Sequence, residues 1–429
     1  MAEYIEITGG VPLRGTVRVS GAKNAALPLM IASLLTSEKC HFSNVPNLLD
    51  VNILIRLLEH FGAEGSCHAG KASVWVPKLV ATEASYSLVK ALRASFWILA
   101  PLLARGRAAR VALPGGDIIG ARPVDMHLEG LSRMGADIRV KHGVVYASAP
   151  DGLKPASIPL RYPSVGATHQ LLMAAALTKG TTVIEGAACE PEITALGGML
   201  QQMGAEVDGA GTSVIVVRGQ EDLGGATVRV IGDRIEAGTF ALASAVTGGN
   251  VRIEGIEIGQ LGGFKDVMEE AGLAFQSDEN GFTASVSGHL RSCRISTAPF
   301  PGFATDLQAP CMAALCTAKG ESTVEEHVFE GRFGHVAELW RMGARIRVNE
   351  RVATIEGVRT LTGAPVEGLD IRAAAALVIA ALGAEGTTQV HEPHHLHRGY
   401  ESLEEKLSSL GARICCKISD PEDFMITGC

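Results

Sequence analysis

Lys23 and Asn24 stand together in Ser20-Gly21-Ala22-Lys23-Asn24-Ala25-Ala26, just before an apolar, Ala-rich run. If that run is a helix, its first backbone N–H groups point outward, and a neighbouring cation completes a seat for an anion. A lysine there gains nothing from the helix dipole, so a merely solvated Lys23 is the weaker reading. Asp117 is the carboxylate of the Gly-rich stretch Pro114-Gly115-Gly116-Asp117-Ile118-Ile119-Gly120, which continues into Ala121-Arg122-Pro123-Val124-Asp125. Such a stretch can carry Asp117 over a cleft as a lid; by local pattern alone, Gly-Gly-Asp fits an exposed turn better. Pro123 suits the first position of a helix and would set Arg122 at its entrance. Asp306, in Phe303-Ala304-Thr305-Asp306-Leu307-Gln308, opens another apolar run. It or Thr305 could cap that helix, and capping does not exclude catalysis. Arg93, Arg122, Arg234, Arg332, Arg372 and Arg398 complete the set, several at predicted helix entrances. In a chain of net charge −8, that recurring placement suggests a cleft for a multiply charged anion.

The elements that must position these residues repeat. A Gly-Ala or Gly-Leu pair ends an amphipathic segment at Gly62, Gly135, Gly204, Gly272, Gly343 and Gly411, about 70 residues apart, a period of duplication. Each glycine stands where the residue after a helix takes positive φ. Upstream of each lies a helix apolar on nearly every face: 27–35, 95–104, 169–178, 239–247, 307–318 and 373–384. A helix hydrophobic all round is buried all round. A β-like run follows each, at 40–45, 109–113, 181–184, 250–253, 322–328 and 387–390. The fold class expected is α/β: a two-domain inside-out barrel, three repeats per domain around three buried helices. The first domain covers 22–231 and carries the loop near 113–123; the second covers 1–21 plus 232–429. Residues unique to one copy point to chemistry, and the cleft between domains is where they are expected to meet. No GxGxxG follows a strand and no P-loop is present, so a nucleotide-binding Rossmann or kinase reading lacks its phosphate cradle.

Composition narrows the classes. With 429 residues, 47% apolar and 20% charged, the chain suits two folded domains. Its acidity argues against nucleic acid or an anionic membrane as partner. Nine scattered cysteines without a CxxC pair fit a reducing compartment. No basic segment followed by an apolar one opens the chain, and the longest apolar runs cover about half a bilayer. The expectation is a soluble cytoplasmic protein. His391, His394, His395 and His397 lie in a Pro-containing loop whose neighbours supply no carboxylate or Cys set, so no metal is expected.

Taken together, these stretches resemble the enolpyruvyl transferase family over essentially the whole chain. The resemblance rests on Gly21-Ala22-Lys23-Asn24-Ala25-Ala26, Leu92-Arg93-Ala94-Ser95, Gly120-Ala121-Arg122-Pro123-Val124-Asp125, Glu190-Pro191-Glu192-Ile193, Asp233-Arg234-Ile235-Glu236-Ala237-Gly238-Thr239, Thr305-Asp306-Leu307-Gln308 and His397-Arg398-Gly399-Tyr400-Glu401. It implies transfer of the enolpyruvyl group of phosphoenolpyruvate to the 3′-hydroxyl of UDP-N-acetylglucosamine, with phosphate released and no metal or organic cofactor. By the same resemblance, Lys23, Asn24, Arg122, Arg332, Arg372 and Arg398 hold phosphoenolpyruvate. Arg93, Arg122, Pro123, Val124, Asp125, Met126, Ser164, Val165, Asp306 and Val328 contact the UDP-sugar. Asp306 becomes the base near the attacking hydroxyl, Lys23 joins the catalytic set, and Asp117 becomes the acid. Most of the family has Cys where this chain has Asp117, so the thiolate that fosfomycin alkylates is missing and insensitivity is expected. Tyr162 replaces a Lys common nearby, which leaves either a weaker diphosphate contact or compensation by Arg161. The alternatives are the family's shikimate-pathway branch and a non-catalytic UDP-sugar-binding paralogue. The Gly-Gly-Asp-Ile-Ile-Gly-Ala-Arg-Pro loop and Arg398-Gly399-Tyr400-Glu401 favour the UDP-sugar enzyme.

Overall fold

A computed structural model describes residues 3–115 and 119–418. Six apolar helices recur along it: Lys23–Ala32, Leu99–Gly106, Val165–Ala176, Arg234–Thr247, Gln308–Leu315 and Ile371–Gly383. Ile371–Gly383 is typical. Every residue from Ile371 to Leu382 is buried, and its many alanines let neighbouring backbones approach closely. The second and fifth of these helices are entered through 3-10 turns, Arg93–Ile98 and Thr305–Leu307.

Six amphipathic helices follow in the same rhythm: Leu49–His60, Asp125–Arg133, Pro191–Gln202, Gly263–Glu270, Val336–Arg341 and Leu403–Ser409. The glycine after each has positive φ: 95° at Gly62, 89° at Gly135, 110° at Gly204, 98° at Gly272, 88° at Gly343 and 100° at Gly411. Only glycine adopts that conformation without strain, which explains the six-fold spacing in the sequence.

Each repeat contributes to a four-stranded sheet, and there are six sheets among the described residues. One plan serves all. In the third repeat, short Ser157–Pro159 runs parallel to Gly180–Glu185. That strand pairs antiparallel with Val214–Gly219, and Glu206–Asp208 closes the far edge. The last sheet borrows from the chain start: Glu3–Thr8 lies between Thr387–His391 and Arg413–Ile418, antiparallel to both. Arg14–Arg18 is likewise the parallel edge strand beside Asn250–Glu254. In the first repeat the edge strand is Thr227–Arg229, from the end of the third, parallel to Lys39–Ser43.

Contacts divide the described chain into two compact units. One holds 21–115 and 122–231; the other holds 3–20, 119–121 and 232–418. Each has its own apolar core. In the second unit the three apolar helices pack on one another. In the first, Lys23–Ala32 packs on Pro191–Gln202, on Leu49–His60 and on the turn Arg93–Ile98.

Candidate active site

Asp306 is the centre of the second unit's polar cluster. It lies in the turn Thr305–Leu307, ahead of Gln308–Leu315. Neither it nor Thr305 caps the helix, contrary to the sequence expectation: the cap position is Ala304, without a side-chain hydrogen bond. The carboxylate faces two guanidinium groups. Arg332 donates to Oδ1 at 2.6 Å and Arg372 to Oδ2 at 2.8 Å. Both arginines are buried, at 6% and 7% exposure, while the Asp306 side chain keeps 24%. Burial alone would push its pKa up, but the charges of Arg372 and Arg332 outweigh burial and hold it well below the usual carboxylate range. Arg332 Cζ lies 5.2 Å from the Phe329 ring centroid and Arg372 Cζ 5.5 Å from that of Tyr400. Tyr400 is buried, with its hydroxyl 3.0 Å from Thr239 Oγ1. That contact joins the Arg398-Gly399-Tyr400-Glu401 stretch to the helix opened by Arg234. Arg398 itself is half-buried and ends the short helix His394–His397, so it follows a helix rather than entering one.

A partly buried charged network around the buried Glu236 braces the same unit. Lys406 Nζ donates to Glu236 Oε1 at 2.5 Å and to Ser20 Oγ at 2.6 Å. Ser20 N donates to Glu236 Oε2 at 2.7 Å, and Ser20 Oγ donates to Glu401. Burial pushes the Glu236 carboxyl up to about 7 despite Lys406. Pattern reading overlooked Glu236 and Lys406 because nothing local marks a pair 170 positions apart.

In the first unit, Lys23 is the first residue of its helix rather than the residue before it. Its Nζ lies 3.3 Å from Asp50 Oδ2, with side chains 12% and 2% exposed. Asp50, in the first turn of Leu49–His60, is a buried partner that the sequence did not single out. Arg93 opens its turn and donates to the carbonyl of Arg122. Burial, with the nearby Arg122 charge, brings its pKa down to about 10. Arg122 takes φ +43°, and the following helix begins at Asp125 with Val124 as its cap. Pro123 therefore precedes the cap instead of opening the helix, because the left-handed Arg122 delays the turn. Met126 follows Asp125, whose Oδ1 accepts from the Met126 amide at 2.9 Å. Arg161 is engaged by Asp125 and, at 3.6 Å, by Glu129. Ser164 caps the helix begun by Val165, its Oγ accepting from Ala167 N at 3.3 Å. Behind them His127 Nδ1 lies 2.5 Å from Gln170 Oε1, and burial lowers its pKa to about 4, so it is neutral near pH 7.

Asp117 lies outside the described residues. After it, Ile119 and Gly120 pack with the second unit: Gly331 N donates to Ile119 O at 3.1 Å. Gly120 takes φ +141°, a backbone conformation that side-chain-bearing residues rarely adopt, so glycine is favoured there. Val328 lies in the turn before Arg332. Among the histidines, His394 pairs with Glu392 at 3.1 Å and His397 with Glu404 at 2.6 Å. Neighbouring carboxylates do exist, then, each beside one of these histidines. Among the described residues no group of three or more His, Cys, Asp or Glu could hold a metal. No described helix is long and apolar enough to cross a membrane.

The chain from residue 7 to 407 matches the family model described as EPSP synthase (3-phosphoshikimate 1-carboxyvinyltransferase). The UDP-N-acetylglucosamine 1-carboxyvinyltransferase of Beijerinckia indica subsp. indica is 50% identical over 423 residues, covering 96% of this chain and 98% of the relative. That of Methylocella silvestris is also 50% identical, covering 96% and 99%. The enolpyruvyl transferase NikO from Streptomyces tendae superposes with TM-score 0.86 at 27% identity over 98% of this chain and 100% of that one. EPSP synthase from Acinetobacter baumannii shares the fold alone, with TM-score 0.76 and 18% identity over 97% and 100%. The helix-and-sheet repeat and the whole-length matches agree: the chain is a member of the enolpyruvyl (1-carboxyvinyl) transferase family that the EPSP synthase model describes.

Proposed function

We propose that this chain transfers the enolpyruvyl group of phosphoenolpyruvate to the 3′-hydroxyl of UDP-N-acetylglucosamine, releasing phosphate, as the committing step of peptidoglycan synthesis in the cytoplasm. The observation that carries the reading is the Asp306 carboxylate held between Arg332 and Arg372. Phosphoenolpyruvate brings a phosphate and a carboxylate, and guanidinium forks suit both. When those anions engage Arg332 and Arg372, Asp306 loses the cations that keep it a weak base. Burial then acts with less opposition and its basicity rises. The base that deprotonates the nucleotide sugar is thus switched on by the other substrate, phosphoenolpyruvate.

Lys23, Asn24, Arg122 and Arg398 complete the phosphoenolpyruvate site. Arg93, Arg122 to Met126, Ser164, Val165 and Val328 hold the nucleotide sugar. With Arg161 engaged by Asp125 and Glu129, it is poorly placed to compensate at Tyr162, and the weaker diphosphate contact is the reading we adopt. In the reaction, Asp306 takes the proton of the 3′-hydroxyl as its oxygen bonds to C2. Asp117, protonated, delivers a proton to C3. The product keeps a double bond, so C3 must return a proton to Asp117 as the C2–O bond to phosphate breaks. The proton on Asp306 is available to the departing phosphate. An acid at position 117 needs a pKa raised toward neutrality, which closure and desolvation supply against the pull of Arg122. A carboxyl group is also a poor nucleophile toward an epoxide, hence insensitivity to fosfomycin.

The test measures phosphate release from phosphoenolpyruvate with either UDP-N-acetylglucosamine or shikimate 3-phosphate as acceptor. Release with the nucleotide sugar alone supports the proposal. Release with shikimate 3-phosphate alone moves the chain to the other branch, and release with neither supports a binding role.

A further inference from the structure

We propose that Glu326 is a positioning residue for the Asp306 base, acting through Thr305 and Arg332; this rests on the role given to Asp306 above. Glu326 follows the strand Glu321–Glu325 and is fully buried, at 0% exposure. A carboxylate so placed needs dense hydrogen bonding to remain there. Its Oε1 accepts from Thr297 Oγ1 at 2.8 Å, Val328 N at 2.8 Å and Phe329 N at 3.0 Å. Its Oε2 accepts from Thr305 Oγ1 at 2.8 Å.

That last bond fixes the direction of the single Thr305 hydroxyl proton, leaving the oxygen lone pairs for Arg332. Arg332 Nη1 donates to Thr305 Oγ1 at 2.8 Å while Nη2 donates to Asp306 Oδ1 at 2.6 Å. A guanidinium group is planar, so seating one terminal nitrogen aims the other. The other oxygen of Glu326 pins the Phe329 amide, and the Phe329 ring lies 5.2 Å from Arg332 Cζ. One buried carboxylate therefore governs both the edge and the face of the guanidinium that holds the base. It also pins the Val328 amide, in the segment assigned to the nucleotide sugar.

The competing explanation is a structural staple for the 326–329 turn. Substitutions at Thr305 and Glu326 separate the two. In Glu326→Gln, three donors hold the amide oxygen at the Oε1 position, so the amide nitrogen faces Thr305 and that bond reverses direction. The Thr305 proton then has lost its acceptor. In Thr305→Val the link to Arg332 is removed without changing any charge; Thr305→Ser keeps it.

Expected results are a kcat loss of about 10- to 100-fold in Glu326→Gln and Thr305→Val, with Thr305→Ser near wild type. The double variant Glu326→Gln/Thr305→Val is no slower than the slower single. Affinity for UDP-N-acetylglucosamine by calorimetry changes less than about threefold. A second readout needs no turnover: the Asp306 carboxyl carbon, followed by NMR titration, moves to higher pKa in Thr305→Val and not in Thr305→Ser. Losses that multiply in the double variant, or equal behaviour of the valine and serine variants, overturn the proposal. If Glu326→Gln does not fold, the Thr305 pair still decides. A wild type without turnover refutes the function proposed above, and the titration alone then decides the positioning.

Discussion

Replacing Asp306 with Asn keeps the shape of the side chain and removes the charge that faces Arg332 and Arg372. Two charge-assisted hydrogen bonds, at 2.6 and 2.8 Å, weaken together. Each is worth about 1.5–3 kcal/mol. The lost charge also recovers its desolvation cost, and the amide still accepts one bond, so the net loss should be about 2–4 kcal/mol. Its pH dependence has a definite sign. The folded pKa of Asp306 is depressed, so the stabilisation is present above the unfolded value and disappears as pH falls through the folded one. Thermal melts of wild type and Asp306→Asn should therefore differ at pH 7 and converge in acid. Catalysis loses its base, about 100- to 10,000-fold in kcat. Phosphate release followed continuously from pH 5 to 9 checks this. An Asp306→Asn enzyme turning over near the wild-type rate refutes the base assignment, even if its melting temperature falls as described.

Three further outcomes are expected. Fosfomycin should leave the wild type active on prolonged incubation, while Asp117→Cys should be inactivated with time and carry a covalent adduct visible by mass spectrometry; an adduct at Asp117 itself would contradict the role assigned to it. Gly411→Ala meets no atom within 4 Å but must hold φ near +100°, so it should cost about 1 kcal/mol through backbone strain alone, read by denaturant unfolding. The hydrogen bond and charge of Glu404 raise the His397 pKa, so their stabilisation is complete below the unfolded His value and is lost as pH rises through the folded one; melts of His397→Gln should lag wild type at pH 6 and match it at pH 9.

The repeat was legible because its signals are local. A helix apolar all round and a glycine after an amphipathic turn each declare themselves within a dozen residues. The N-terminal strand Glu3–Thr8 was not placed, since its partners at Thr387–His391 and Arg413–Ile418 lie at the far end of the chain. The charged residues of the site were legible as residue types, and the arginines as a set. Their pairings were not. Asp50 reads as an ordinary acidic residue in a first helical turn until Lys23 is seen against it. Thr305 looked like a cap and instead links Glu326 to Arg332. Pro123 looked like the start of a helix, but a left-handed Arg122 precedes it and moves the start to Asp125. In each case the missing information was a tertiary contact, within one repeat or between repeats, or a backbone angle, which periodicity does not encode.

The most direct test of the account is the identity of the product. Wild-type enzyme incubated with phosphoenolpyruvate and UDP-N-acetylglucosamine should yield the 3′-enolpyruvyl ether of the nucleotide sugar, identified by mass spectrometry, with one phosphate released per ether. Asp117→Asn and Asp306→Asn should form it far more slowly. Absence of the ether from the wild-type reaction, or undiminished formation by both variants, would contradict it.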